Sequence, residues 1–460
     1  MSVHVPHDEG VLVRLGRLLD AALRNLAASP TPEQLEALAV LVHETMSGRG
    51  RSFHCLKHVF DLATGPDPHL ALGAAFHDTV YLQVDGGLSP RVEQLLGGAF
   101  EHRGEQVFLT EPGPDRLRAM VLALFGIAPG DPVAPTAGLN ELLSALLAVR
   151  ALHGLLPVKD LVRVAASVEA TVPFRGPAAP EQQRERLASL SKAMGLALST
   201  EELDAMVLTG VDLANKDVAN FALTDPALFL DNTWALLPET NWSLRMRSVY
   251  SVREYRGAML RMASFLSALD PARIFRSYRG WPAPSAIDEL QGLARRNLRI
   301  SAHYLGAKLL AACSLDALAT LSGGDAPVAM LMGELPSEAG EPLRMEHFLP
   351  PLEAPAEADP EVWRLLAEGR AHHTGFDLRN APLAAHLYSK IGAAGSNRMV
   401  EACRAYCEGK TTPTQLLKAT LTAPVAATVA RACARVAFFR TERLEAVARM
   451  LEDGIDPRDS

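Results

Sequence analysis

Apolar residues recur at helical period along almost the whole chain, and strand-type alternation is scarce. Val11, Leu15, Leu18, Leu19, Ala22 and Leu26 share one face of a helix over 11–26. Thr31-Pro32-Glu33-Gln34 reads as a helix start, with a threonine cap and proline at the first helical position. A second amphipathic helix follows over 35–46. Val328–Met332 (VAMLM) is the best short strand candidate. Aromatic residues make up only 6% of the chain, and alanine and leucine, both strong helix formers, dominate it. The pattern predicts an all-α protein.

At 460 residues the chain is long enough for two or three domains. Pro173–Pro180 (PFRGPAAP) reads as a loop, and 323–360, rich in Pro, Gly, Glu and Ala, as an irregular connector. Trp281-Pro282-Ala283-Pro284 marks a lesser break. The expected order is an N-terminal helix over 1–30, a site-bearing domain over 31–275 and a helical extension over 276–322. The connector at 323–360 and a helical C-terminal domain over 361–460 complete it.

The formal net charge is −8 and no block of Lys and Arg occurs, which argues against a nucleic-acid partner. No run of about 18 uncharged apolar residues is found, so no membrane partner is expected. The first ten residues, MSVHVPHDEG, lack the apolar core of a leader. Five cysteines without a CxxC pair point to free thiols and a cytoplasmic location.

Three short stretches carry candidate chemistry. In Phe53–Leu62, His54 and His58 stand four apart, which on a helix puts both imidazoles on one face. The apolar run Leu70–Tyr81 ends in the adjacent pair His77-Asp78, costly to bury unless paired or bound to metal. After Gly210, Asp212 lies in an otherwise apolar helical stretch. Each also has a plain structural reading: a core histidine, an exposed helix end, an N-cap aspartate. Together, two imidazoles and two carboxylates form a mixed set suited to a divalent Mn, Fe, Zn or Mg ion, with coordination positions left for water and substrate.

The order H…HD…D is similar to that of the HD superfamily of metal-dependent phosphohydrolases. Phe53–Leu62 resembles the YHNxxHAxDV stretch of its cyclic-nucleotide phosphodiesterases. Phe76–Tyr81 (FHDTVY) resembles the FHDxVY of bacterial HD hydrolases, and Val211–Asn215 (VDLAN) the ADLSN segment of the family. The resemblance covers roughly residues 50–220. It implies an HD-type helical bundle, with His58, His77, Asp78 and Asp212 as metal ligands and His54 as the group that protonates the leaving oxygen. Glu93 falls where the bacterial group carries a glutamate. The implied activity is hydrolysis of a small phosphoester such as a nucleotide or cyclic nucleotide. Departures from the pattern leave a second metal and cyclic-nucleotide specificity in question. Cys55 replaces an asparagine, the second histidine of HDxxH is absent after His77, and Glu169–Phe174 lacks a histidine that relatives carry. Cys55 and the lost HDxxH histidine favour the alternative of a degenerate HD protein that senses a nucleotide without turning it over. A di-iron oxygenase would need further ligands, for which His43, Glu93 and His102 are the nearest candidates.

A phosphate group requires positive charge beside the metal. Lys57 and Lys216 flank the motifs, and Asn215 adds an amide, so these three are the expected substrate- or cofactor-binding residues. Arg245, Arg247, Arg253 and Arg256 fall in one expected helix over 241–260, as phosphate contacts or as a solvated face. The segment 212–247 sets Asn215, Asp217, Asn220, Asp231, Asn232, Glu239 and Asn241 among apolar residues, and a hydrogen-bond network fixing helix packing is the favoured reading. In the C-terminal part, His372, His373, Asp377 and His386, or Cys403 and Cys407, are weaker ligand candidates; packing is the preferred role of the cysteines.

Overall fold

The structure, a computed structural model, describes residues 10–104, 106–134, 137–246, 249–337 and 340–453, with 393–398 as backbone. The first nine residues and Arg247 lie outside them. The protein is all-α, as the periodicity predicts. It divides into two compact units that interleave along the chain, where a linear order of segments was expected. The first comprises 1–222 and 270–294, the second 223–269 and 295–460.

The first unit contains helices α1 (Val11–Asn25), α2 (Pro32–Met46), α3 (Leu56–Leu62), α4 (Pro68–Phe76), α5 (Leu82–Asp85) and α6 (Pro90–Leu96). A short hairpin, β1 (Phe100–Arg103) and β2 (Gln106–Leu109), precedes α7 (Arg116–Phe125), α8 (Leu139–Leu152), α9 (Val158–Ala170), α10 (Ala179–Met194) and α11 (Thr200–Asp217). The start of α2 is as expected: the Thr31 hydroxyl accepts from the Gln34 N–H, and the Gln34 side chain accepts from the Thr31 N–H. Two helices are buried on nearly every face, α4 over Leu70–Phe76 and α9 over Val164–Ala170. A helix that is apolar all round belongs in a core. Accordingly α4 packs against α1, α8, α9 and α11. The hairpin was not foreseen, because four-residue strands are too short to display an alternating pattern.

The second unit contains α12 (Pro226–Thr240), α13 (Val252–Ala268), the greater part of α14 (Pro284–Leu321), α15 (Val328–Met332), α16 (Pro360–Ala367), α17 (Pro382–Cys407), α18 (Pro413–Thr420), α19 (Ala423–Ala434) and α20 (Thr441–Asp453). Val328–Met332, expected as a strand, is a short helix that starts after Pro327. The stretch 241–260 is not one helix. A 3-10 turn at Trp242–Arg245 ends before α13, whose start is set by a Ser251–Glu254 capping box. The segment 323–360 is largely irregular, as composition suggested, but lies within the second unit. By length and composition α14 is apolar enough to cross a membrane, and 89% of its apolar window is buried inside the protein, as in a core helix.

Candidate metal centre

Two glycines set the spacing of the helices that carry the site. A Cβ at Gly73 on α4 would collide with the Ser167 hydroxyl of α9 and meet Leu213 Cδ2 of α11 at 3.0 Å. A Cβ at Gly210 on α11 would lie 2.8 Å from the Ala170 Cβ of α9. Both glycines therefore permit close helix packing. His77 follows Gly73 by four residues and Asp217 follows Gly210 by seven, so each side chain lies on its helix's close-packed face. The Asp67 carboxylate caps α4 and also holds Arg163 of α9 (2.9 Å) and Thr209 of α11 (2.7 Å), which keys the same three helices together.

At the end of α4 the His77 and Asp78 side chains meet His58, from the first turns of α3, and Asp217, from the last turn of α11. One donor atom from each of the four lies within 4.8 Å of every other, a geometry that can hold a metal ion. The side chains are 10%, 1%, 18% and 19% exposed for His58, His77, Asp78 and Asp217. His58 Nε2 is 2.9 Å from Asp217 Oδ1. His77 Nδ1 donates to the Ala74 carbonyl (2.9 Å), which leaves Nε2 as the nitrogen that faces the cluster. That Nε2 and Asp78 Oδ2 lie 2.9 Å apart, yet their orientation makes no hydrogen bond and both buried atoms lack one. Two donors aimed at a common point rather than at each other are the arrangement a cation requires.

The electrostatics agree. Burial opposes charge on His77, but the Asp78 and Asp217 carboxylates outweigh it and hold the imidazole well above its ordinary range. Burial likewise opposes the Asp78 carboxylate, and the charges of His77, His54 and His58 hold it well below the carboxylate range. Asp217, against its burial, is brought down to about 2 by the hydrogen bond with His58 and by the neighbouring His77 imidazole. Glu141, in the first turn of α8, moves the other way. Burial, then the charges of Asp78 and Asp217, push it up to about 7 despite a bond from its own backbone.

Arg51 braces the backbone beside the site. Its guanidinium makes a two-point pair with Asp85 (2.8 and 2.7 Å), and its Nη1 donates to the backbone carbonyls of Asp78 (2.6 Å) and, at 3.4 Å, His54. His54 thus stands beside the cluster. It precedes α3 rather than sharing a helical face with His58. Its ring lies 6.0 Å from that of His58 and 5.0 Å from that of Tyr81.

Four expected site residues are placed elsewhere. Asp212 does not join the four-residue cluster, in which Asp217 stands instead. It pairs with Lys216 (3.2 Å) on the same helix, and five residues rotate it about 140° from Asp217. Lys216 also donates to the Thr64 carbonyl (2.9 Å). Both ends of the Asn215 amide bond the backbone of Arg276 (2.8 and 2.9 Å). Lys57 is 81% exposed and pairs with Asp61. Glu93 and His102 are exposed and His43 is half-buried on α2; none joins the cluster. Within the second unit Arg245 donates to Pro238 and Glu239 carbonyls, and Arg253 and Arg256 pair with Asp316. His372 there pairs with Asp231; across both units all five cysteines are free.

Sequence reasoning noticed Asp217 only as one of several polar residues in an apolar segment. Its seven-residue offset from Gly210 is the signal that distinguishes it. Arg51 and Glu141 were passed over, because neither belongs to a motif. No protein-family model matches the chain, and no curated protein or solved structure matches it.

Proposed function

We propose that the protein is a metal-dependent phosphohydrolase of HD type, acting on a small phosphoester such as a nucleotide. The observation that carries the metal reading is the pair of buried, unbonded donors, His77 Nε2 and Asp78 Oδ2, converging with His58 and Asp217. Support for the phosphohydrolase class comes from the order of the donors along the chain, H…HD…D, and from His54 beside them. A divalent Mn, Fe, Zn or Mg ion held there would supply Lewis-acid charge and acidify a coordinated water. The protein's own part is to fix the four donors, to keep His77 in one tautomer through Ala74, and to hold a proton on His54 for the leaving oxygen.

A second reading has one observation in its favour. Lys57, Asn215 and Lys216 are all engaged away from the cluster, so none of them serves as the phosphate clamp that turnover needs. A nucleotide sensor that retains the metal and has lost hydrolysis fits that fact.

The test compares wild type with Asp217→Ala and Asp212→Ala. Metal content after Mn(II) loading is measured first, then hydrolysis of a panel of nucleotide phosphoesters. The expected result is about one Mn per chain in wild type and Asp212→Ala, with affinity falling more than about 100-fold in Asp217→Ala. Phosphate release that requires His54 supports the hydrolase, and nucleotide binding without release supports the sensor. Absence of bound metal in wild type overturns both.

A further inference from the structure

We infer that Glu141 belongs to the same centre, as an outer carboxylate that grips the bound cation through an intervening water. The inference rests on the metal reading proposed above.

The first turn of α8 is keyed to the backbone that follows the His77-Asp78 pair. Ser144 Oγ accepts from the Val80 N–H (3.0 Å), and Asn140 Oδ1 accepts from the Leu82 N–H (3.2 Å). The Asn140 amide also donates to Gln83 (3.0 Å). Glu141 lies between these two clamps in sequence. Its Oε2 is buried without a hydrogen-bond partner, and no ion pair to it occurs among the described residues. The charges acting on it are Asp78 and Asp217, which repel it, and more weakly Arg175, which attracts it. Glu141 is outside the 4.8 Å set of four, so the role assigned to it is that of an outer carboxylate acting through water and not that of a fifth ligand. Carboxylates in that outer position orient the inner donors and the coordinated water, and their loss weakens metal binding about 10- to 100-fold.

A plain alternative exists, because Glu141 is also an acid in the first turn of a helix, where a negative charge favours the helix end. The two roles separate on measurement. Full-length protein is stripped with a chelator and titrated with Mn(II), and free Mn(II) is followed by its EPR signal. Thermal unfolding of the metal-free protein is recorded alongside. Glu141→Gln is expected to lower Mn(II) affinity about 10- to 100-fold while the metal-free protein melts no lower than wild type, since a repelled buried charge has been removed. Should that variant not fold, Glu141→Asp keeps the charge one methylene short, and a drop in Mn(II) affinity is again the expected result. Unchanged affinity in a folded variant, with or without a lower melting temperature, overturns the role of Glu141 and leaves the four-donor site intact. Failure of wild type to bind Mn(II) overturns the metal reading and this inference with it.

Discussion

Each unit of the protein buries a cluster of ionised side chains, and the two clusters are built on opposite principles. In the second unit Asp377 is surrounded by donors. Lys308 Nζ (2.6 Å), Trp234 Nε1 (2.8 Å) and the Tyr255 hydroxyl (3.0 Å) all give a hydrogen to its Oδ2. Lys308 is its direct ion-pair partner, and the buried Arg370 adds a second positive charge, so the anion is fully answered by the protein's own groups. In the first unit three carboxylates crowd one another around two imidazoles. Asp78, Asp217 and Glu141 are set beside His77 and His58, and buried atoms of His77, Asp78 and Glu141 are left without hydrogen bonds. A closed group of the first kind fixes packing; a group short of positive charge is organised for something that arrives from outside.

The contrast can be broken most forcefully at Lys308. Replacing it with methionine strands the Asp377 carboxylate in the core. Chemical denaturation is expected to show a loss of about 3–5 kcal/mol, with Mn(II) binding by the first cluster retained. If stability is unchanged, the Asp377 group is not a closed structural device.

A smaller effect is expected at Gly210. An added Cβ in Gly210→Ala must push α11 away from Ala170 of α9. Overpacking of this kind costs about 1–3 kcal/mol, and it should also weaken Mn(II) binding by displacing Asp217. Full stability and full affinity together would show that the helix spacing does not position the site.

The mildest perturbation is pH. His77 is held above its ordinary range in the metal-free protein. The stability it gives is complete below an ordinary imidazole pKa and is lost as pH rises through its folded value. Asp217 has the opposite sign: depressed to about 2, it stabilises above an ordinary carboxylate pKa and loses that contribution as pH falls toward 2. A metal ion must displace the His77 proton, so Mn(II) affinity should rise up to about tenfold per pH unit, roughly 1.4 kcal/mol, through neutrality. Calorimetric titration at several pH values checks this, and a flat profile would mean that His77 is not a ligand.

Much of this was legible in one dimension. Helical period is a local property, and it identified the all-α class and the start of α2 at Thr31. The His77-Asp78 pair could be read because an apolar helix delivers both residues to a single place, and His58 because it sits in a recognisable stretch. The fourth donor was misplaced by five residues. Local context made Asp212 look buried, whereas the rotation of α11 is decided by where Gly210 meets Ala170, a contact between helices 40 residues apart in sequence. Lys57, Asn215 and Lys216 were chosen for proximity along the chain, and their actual partners, Asp61, the Arg276 backbone, and Asp212 with Thr64, are matters of side-chain direction.

The amino-acid sequence by itself determined which segments coil and which residue types are available to bind a cation, since both follow from local chemistry and spacing. Only the tertiary structure decided which carboxylate completes the centre, that Arg51 ties His54 to Asp78, and that Glu141 is buried beside two like charges. These are relations between helices. They depend on the rotation and separation of packed surfaces, which no pattern within a single helix records.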